Sequence, residues 1–219
     1  MKLLLTSAGI KNKSINDAMV ELLGKPIAEC DALLIPTASW GMSNPGSVWR
    51  FITGNATTPM AELGWRSLGV LELTALPTIQ EEWTSWVRET DVLLVNGGDS
   101  LYLNHWMRLS GLADLFPSLE DKVYVGLSGG SMVMTPNIGK DFMHWAPPDG
   151  SDRALGLVDF SIFPHLDHPN LPENTMADAE RWAAGLANPA YAICDDTAIK
   201  VVDGAVEVIS EGHWKLFTP

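Results

Sequence analysis

The chain has 219 residues, 46% of them hydrophobic, which suits one large core and predicts a single domain over residues 1–219. It carries 14 basic and 27 acidic residues, and the formal charge of −13 argues against nucleic acid and anionic membrane surfaces as partners. Its two cysteines, Cys30 and Cys194, lie far apart and outside any C-x-x-C pattern, which argues against a disulfide framework and a cysteine metal site.

The first residues are predicted to form a buried strand. Residues 2–6 include three leucines, a run too short for the apolar core of a signal peptide before polar Lys11-Asn12-Lys13 follows. No stretch of the sequence approaches the apolar length that is needed to cross a bilayer. We therefore expect a cytoplasmic protein.

Predicted strands and helices alternate through the first two-thirds of the chain. Uninterrupted apolar runs indicate strands that are covered on both faces, and apolar residues at helical spacing indicate helices. The predicted strands are 2–6, 31–38, 68–76, 91–95, 122–127 and 157–163, and the predicted helices are 14–24, 79–89, 101–109 and 174–186.

The last part of the chain is predicted to be rich in short strands. These cover 191–194, 198–202 and 205–210, with Asp203-Gly204 as a hairpin turn, and 211–217 is predicted to be an edge strand. The whole pattern predicts an α/β fold, a doubly wound and mostly parallel sheet with helices on both faces and a C-terminal antiparallel hairpin. In such sheets ligands bind at the carboxyl ends of the strands.

One of these strand ends carries the pattern of a nucleophile elbow. The segment Gly126-Leu127-Ser128-Gly129-Gly130 follows an apolar strand and precedes a run that suits a helix. Glycines two residues before and after the serine avoid a collision in the tight bend, which exposes the hydroxyl of Ser128. The N–H of Gly129 would then face a developing oxyanion. A plain Gly/Ser-rich turn between strand and helix can have the same sequence.

A second strand ends in Asn96-Gly-Gly-Asp-Ser100. Two glycines at this position allow the backbone to approach a ligand closely, and Asp99 or Ser100 can cap the helix that follows. The same residues also suit an ordinary capped turn.

A nucleophilic serine needs a base, and the base needs a third group that holds its ring. His165 follows a predicted strand directly and is expected at the same sheet edge as Ser128, with His168 as its competitor. An alternative interpretation takes the segment His165-Leu166-Asp167-His168 as metal ligands, but Pro164 and Pro169 on either side disfavour the helix that this spacing requires. We therefore expect neither a metal nor another cofactor.

Five segments in this order resemble the peptidase E family of serine peptidases (peptidase family S51), within the class I glutamine amidotransferase-like superfamily. They are 3–9, 34–38, 96–100, 126–132 and 163–165. The resemblance implies that Ser128 is the nucleophile and His165 the general base. It also implies that the N–H groups of Gly98 and Gly129 form the oxyanion hole.

The resemblance further implies an acidic third member between the serine and the histidine. Asp141 is preferred there, and Asp152 is the alternative. The chain departs from the family pattern at Leu127, usually aromatic, and at Gly129, usually alanine. At position 129 only the backbone is expected to matter.

The chain also lacks a segment of the family pattern. In the aspartyl dipeptidases of this family, an arginine-containing segment follows the histidine, and this chain has no such segment. We therefore expect a dipeptidase-like serine hydrolase that cleaves small peptides through an acyl-enzyme, without a strong preference for Asp-Xaa. The alternative is a non-catalytic amidotransferase-like domain that binds a small molecule or a partner at the same edge.

Overall fold

The computed structural model describes residues 1–79 and 82–219. The strands of this part are β1 Lys2–Thr6, β2 Asp31–Ile35, β3 Ser67–Val70, β4 Val92–Val95, β5 Val123–Leu127, β6 Ser161–Phe163, β7 Ala190–Ile193, β8 Thr197–Val202, β9 Ala205–Ser210 and β10 Trp214–Phe217. Its α-helices are α1 Lys13–Leu23, α2 Ala38–Gly41, α3 Pro45–Ile52, α4 Trp83–Glu89, α5 Ser100–Leu109, α6 Leu112–Leu115, α7 Gly129–Met132 and α8 Met176–Ala183. Positions 80 and 81 of the predicted helix 79–89 lie outside the described residues.

The main sheet has seven strands in the order β3-β2-β4-β5-β1-β8-β9. The strands from β1 to β5 pair in parallel, and β8 and β9 add an antiparallel end. The β8–β9 hairpin turns at Asp203-Gly204, where both residues have positive φ angles, of 49° and 80°, as in a two-residue type I′ turn. The predicted α/β fold class is therefore confirmed.

Successive residues of the parallel strands pack on opposite faces of the main sheet. In β1, Leu3 and Leu5 join a core beneath α4, α5, α6 and α7, whereas Leu4 joins a second core beneath α1 and α3. Because both faces are covered by helices, the strands have uninterrupted apolar sequences.

A second, smaller sheet has the order β10-β7-β6. The strand that precedes His165, β6, pairs in parallel with β7 and not with the main sheet, and β10 pairs with β7 in antiparallel. The prediction that His165 follows a strand of the main sheet was therefore wrong. The apolar run before His165 indicates a strand, but it carries no information about the partner of that strand. Trp182 of α8 packs against the smaller sheet.

Candidate active site

Ser128 lies in a strained turn between β5 and α7. Its φ of 49° and ψ of −112° are unusual for a residue with a side chain, and such conformations persist only where the surrounding structure enforces them. A Cβ atom on Gly126 would lie 2.5 Å from the carbonyl oxygen of Gly130, so the bend requires glycine at position 126. This is the geometry expected of a nucleophile elbow.

Buried contacts with Tyr124 and β4 fix the position of the elbow. The Tyr124 hydroxyl donates a hydrogen bond of 2.6 Å to the carbonyl of Gly130. Burial raises the pKa of Tyr124 well above its usual value, so the phenol remains a donor. A Cβ atom on Gly130 would lie 2.4 Å from the carbonyl oxygen of Val95, which shows how closely the turn packs on β4.

The structure brings Ser128, His165 and Asp195 into one hydrogen-bonded chain. His165 Nε2 lies 2.9 Å from Ser128 Oγ, and His165 Nδ1 lies 2.7 Å from Asp195 Oδ1. Because an ionised carboxylate only accepts hydrogen bonds, Nδ1 carries a proton, and in the neutral imidazole Nε2 then accepts from the serine hydroxyl. This is the arrangement of a nucleophile, a base and an orienting acid.

The smaller sheet positions both the histidine and the acid. His165 stands two residues beyond β6 and Asp195 two residues beyond β7, and these strands are parallel neighbours. The N–H of Leu166 donates to the carbonyl of Ile193 at 3.1 Å, which continues the contact past the strand ends. His165 adopts a left-handed backbone conformation, with φ of 57°.

Asp195 is ionised over a wide pH range. Burial raises the pKa of its carboxyl, but several groups outweigh this effect. They are the hydrogen bond and charge of His165, the charge of Lys11 at 3.6 Å and the Ser7 hydroxyl, which together lower the pKa to about 2. The carboxylate is therefore available to orient His165 at any pH above this value.

The acids expected from the sequence lie elsewhere. Asp141 is exposed in a single helical turn, and Asp152 accepts a hydrogen bond from the N–H of Gly139. Both line a separate cavity together with Arg181. The carboxylate that contacts His165 belongs to Asp195, which follows a predicted strand just as His165 does. That position after a strand is a signal for Asp195, whereas the resemblance implies an acid between Ser128 and His165.

A glycine loop from β4 lies against the elbow. Gly98 has a φ of 137°, which favours glycine, and a Cβ atom there would lie 2.4 Å from the carbonyl oxygen of Ala38. A Cβ atom on Gly129 would lie 2.2 Å from the carbonyl oxygen of Gly98. The side chain at position 129 therefore does matter in this arrangement, because alanine would collide with the loop.

The N–H groups of Gly98 and Gly129 have no acceptor among the described residues. The loop itself is held by Ser39, whose hydroxyl donates to the carbonyl of Gly97 and accepts from the Asn96 side chain. Of the two predicted capping residues, Asp99 caps α5 by accepting from the N–H of Tyr102. Two unpaired donors thus lie beside Ser128 on a fixed backbone.

A cavity of about 310 Å³ opens above Ser128 and is called the site cavity below. Within the part of the chain that the structure describes, the imidazole of His165 is the one ionisable side chain in its lining. The other lining residues include Ser39, Met42, Asn44, Ser47, Thr58 and Leu127. The site cavity therefore offers hydroxyls, amides and apolar groups, but it has no fixed charge to pair with an ionised side chain.

The alternative of a metal site at residues 165–168 finds no support in the geometry. Over residues 1–79 and 82–219, no group of three or more His, Cys, Asp or Glu side chains is arranged to hold a metal ion. His168 Nε2 lies 3.7 Å from Asp195 Oδ2, and His213 pairs with Asp167 at 2.9 Å.

A larger cavity, of about 610 Å³, runs along one face of α5 and is called the α5 groove below. Arg108 and Arg153 line it, together with His105 and Trp145. Arg181 forms an exposed ion pair with Asp178 one turn away on α8. Neither Arg153 nor Arg181 lines the site cavity.

The chain matches known peptidases in sequence over most of its length. The model of peptidase family S51 matches residues 3–209. An uncharacterized peptidase of Listeria monocytogenes is 32% identical over 127 residues, covering 53% of this chain and 61% of the relative. An uncharacterized peptidase of Pasteurella multocida is 32% identical over 138 residues, covering 60% of this chain and 65% of the relative. The matches thus span less than two-thirds of either relative.

Two solved structures share the fold. The crystal structure of a candidate peptidase E protein from Listeria monocytogenes has a TM-score of 0.69 at 21% identity and covers 96% of this chain and 98% of its own. A peptidase from an acI-B1 Actinobacterium has a TM-score of 0.63 at 17% identity and covers 99% and 93%. At this identity the likeness supports the fold alone. Over the described residues, no helix combines the length and apolar character that membrane crossing demands.

Proposed function

The chain belongs to peptidase family S51, and from this premise we propose that it is a serine peptidase that cleaves small peptides through an acyl-enzyme on Ser128. One observation carries the proposal: the hydrogen-bonded chain from Ser128 Oγ through His165 to Asp195, with distances of 2.9 and 2.7 Å. The strained backbone at Ser128 supports it, because strain of this kind concentrates at functional sites.

In the proposed reaction, Ser128 Oγ attacks the peptide carbonyl while His165 Nε2 takes the hydroxyl proton. The carbonyl oxygen becomes an oxyanion, and the N–H groups of Gly98 and Gly129 donate hydrogen bonds to it. His165 then gives its proton to the leaving amine as the C–N bond breaks, which leaves an ester on Ser128. Water, deprotonated by the same imidazole, hydrolyses the ester and restores the serine. Asp195 keeps the proton on Nδ1 and stabilises the imidazolium.

The size of the site cavity favours a short substrate. A volume of about 310 Å³ is near the lower end of the range for small-molecule sites, roughly 300 to 1,000 Å³. A dipeptide fits this class better than an extended chain. The neutral lining favours residues with uncharged side chains, because a desolvated carboxylate without a cationic partner binds poorly.

A fluorophosphonate probe tests the proposal, because it labels only activated serines. We expect the wild-type protein to form one adduct, on Ser128, and Ser128→Ala to form none. Ser131→Ala is the matched control, since Ser131 is fully buried, donates to the carbonyl of Thr6 and lies one turn beyond Ser128. An adduct on Ser131 or Cys194 would contradict the assignment. A wild-type protein without adduct or turnover would favour a non-catalytic binding domain.

A further inference from the structure

Ser7 is a buried serine that contacts both His165 and Asp195. It follows β1 directly and its exposed fraction is 0%. Its Oγ accepts a hydrogen bond of 2.7 Å from the backbone N–H of His165 and lies 3.1 Å from Asp195 Oδ1. Because the carboxylate only accepts, the Ser7 hydroxyl proton points to Asp195. One hydroxyl therefore joins the backbone of the histidine to the side chain of the acid.

The end of β1 also contacts the elbow. The carbonyl of Thr6 accepts a hydrogen bond of 3.0 Å from the N–H of Ser128. Residues 6 and 7 therefore contact all three residues of the hydrogen-bonded chain that runs from Ser128 to Asp195. Ser128 follows a strand of the main sheet, whereas His165 and Asp195 follow strands of the smaller sheet. Among these contacts, the Ser7 hydroxyl links the end of β1 directly to the backbone N–H of His165 and to the Asp195 carboxylate.

The backbone of His165 needs such a support. A left-handed conformation is unfavourable for a residue with a side chain and persists only where neighbouring groups enforce it. The hydrogen bond to Ser7 satisfies the His165 N–H in that conformation. Without it, the loop can rotate away from a geometry in which the Nε2–Oγ distance is 2.9 Å.

We propose that Ser7 is a positioning residue, whose hydroxyl fixes His165 and Asp195 relative to Ser128. This inference rests on the proposed function for its kinetic consequence. Ser7 does not line the site cavity, so Ser7→Ala should leave KM nearly unchanged. It should lower kcat about 10- to 100-fold, because small misplacements of catalytic groups have effects of this size.

The competing explanation is that Ser7 only stabilises the fold, and Ser161→Ala is the control for it. Ser161 is also fully buried, and its Oγ donates to the carbonyl of Asn137 at 2.8 Å, away from the hydrogen-bonded chain. We expect both variants to lower the Tm to a similar extent and only Ser7→Ala to lower kcat. An equal kcat loss in both variants would overturn the inference.

A double-mutant cycle with Asp195→Ala separates the two explanations further. If Ser7 acts through Asp195 and His165, the kcat loss caused by Ser7→Ala should become much smaller when Asp195 is already alanine. A purely structural effect would be the same in both backgrounds. Additive losses, or an unchanged kcat in Ser7→Ala, would overturn the inference while leaving the proposed peptidase function intact.

Proton NMR provides a measurement that does not need turnover. The hydrogen bond between His165 Nδ1–H and a carboxylate gives a strongly downfield resonance, which should shift or vanish in Ser7→Ala and remain in Ser161→Ala. If the wild type shows no turnover but the resonance responds in this way, the proposed function fails and the positioning role stands. If the resonance is identical in the wild type and Ser7→Ala, the positioning role fails.

Discussion

The site cavity and the α5 groove differ in volume, in the charge of their lining residues and in backbone conformation. The α5 groove has about twice the volume and is lined by Arg108 and Arg153, which lie on a regular helix and an exposed loop. The site cavity is smaller and neutral, but it contains Ser128 in a strained turn and His165 at hydrogen-bond distance. Cavity volume alone would identify the α5 groove as the functional site. Backbone strain and converging reactive groups therefore locate chemistry better than cavity size does.

The largest expected effect tests which acid belongs to the site cavity. Asp195→Ala should lower kcat/KM about 10³- to 10⁴-fold, because loss of the orienting carboxylate leaves the imidazole in the wrong tautomer and orientation. Asp141→Ala and Asp152→Ala are matched controls and should stay within about threefold of the wild type, since both residues line another cavity. A large loss in Asp152→Ala, with little in Asp195→Ala, would restore the acid expected from the sequence.

The second prediction concerns stability in acid. A carboxyl with a folded-state pKa of about 2 and an ordinary value of 3.8 contributes about 2 kcal/mol to the free energy of unfolding. The contribution is fully present above the ordinary value and is lost as pH falls through about 2. The difference in unfolding free energy between wild type and Asp195→Asn should therefore shrink by about 2 kcal/mol from pH 5 to pH 2.

Urea denaturation at several pH values measures this difference, with Asp141→Asn as the control. Asp141 is exposed, so its substitution should give a difference that stays small throughout. A wild-type advantage over Asp195→Asn that stays constant down to pH 2 would show that Asp195 is not held as an ionised partner of His165.

Local patterns account for what could be predicted from the sequence. The elbow around Ser128, the loop at Gly98 and the position of His165 after a strand all follow from glycine spacing and apolar runs, which act over a few residues. The smaller sheet could not be predicted, because β6, β7 and β10 are short and their pairing depends on contacts distant in sequence. The contact between Asp195 and His165 depends on that pairing, so the position of Asp195 after a predicted strand makes it a candidate but does not show that it lies beside His165.

The third prediction uses the neutral lining of the site cavity. The value of kcat/KM for Asp-Leu should not exceed those for Ala-Leu and Met-Leu by more than about tenfold, because no cation lines the described cavity to pair with the aspartate. Ser47→Arg would place a guanidinium at the cavity wall and should raise the ratio of Asp-Leu to Ala-Leu. A wild-type preference for Asp-Leu of about a hundredfold or more would contradict the neutral-cavity interpretation.

The smallest expected effect concerns the arginines outside the site cavity. Arg153 lines the α5 groove, and Arg181 pairs with Asp178 on an exposed helix face, where an ion pair contributes roughly 0 to 1 kcal/mol to stability. Arg153→Ala and Arg181→Ala should therefore change kcat/KM for both Asp-Leu and Ala-Leu by less than about twofold. If Arg153→Ala instead reduced turnover of Asp-Leu about a hundredfold and left Ala-Leu unchanged, the α5 groove and the site cavity would form one peptide-binding surface. The distinction between the two cavities would then have to be abandoned.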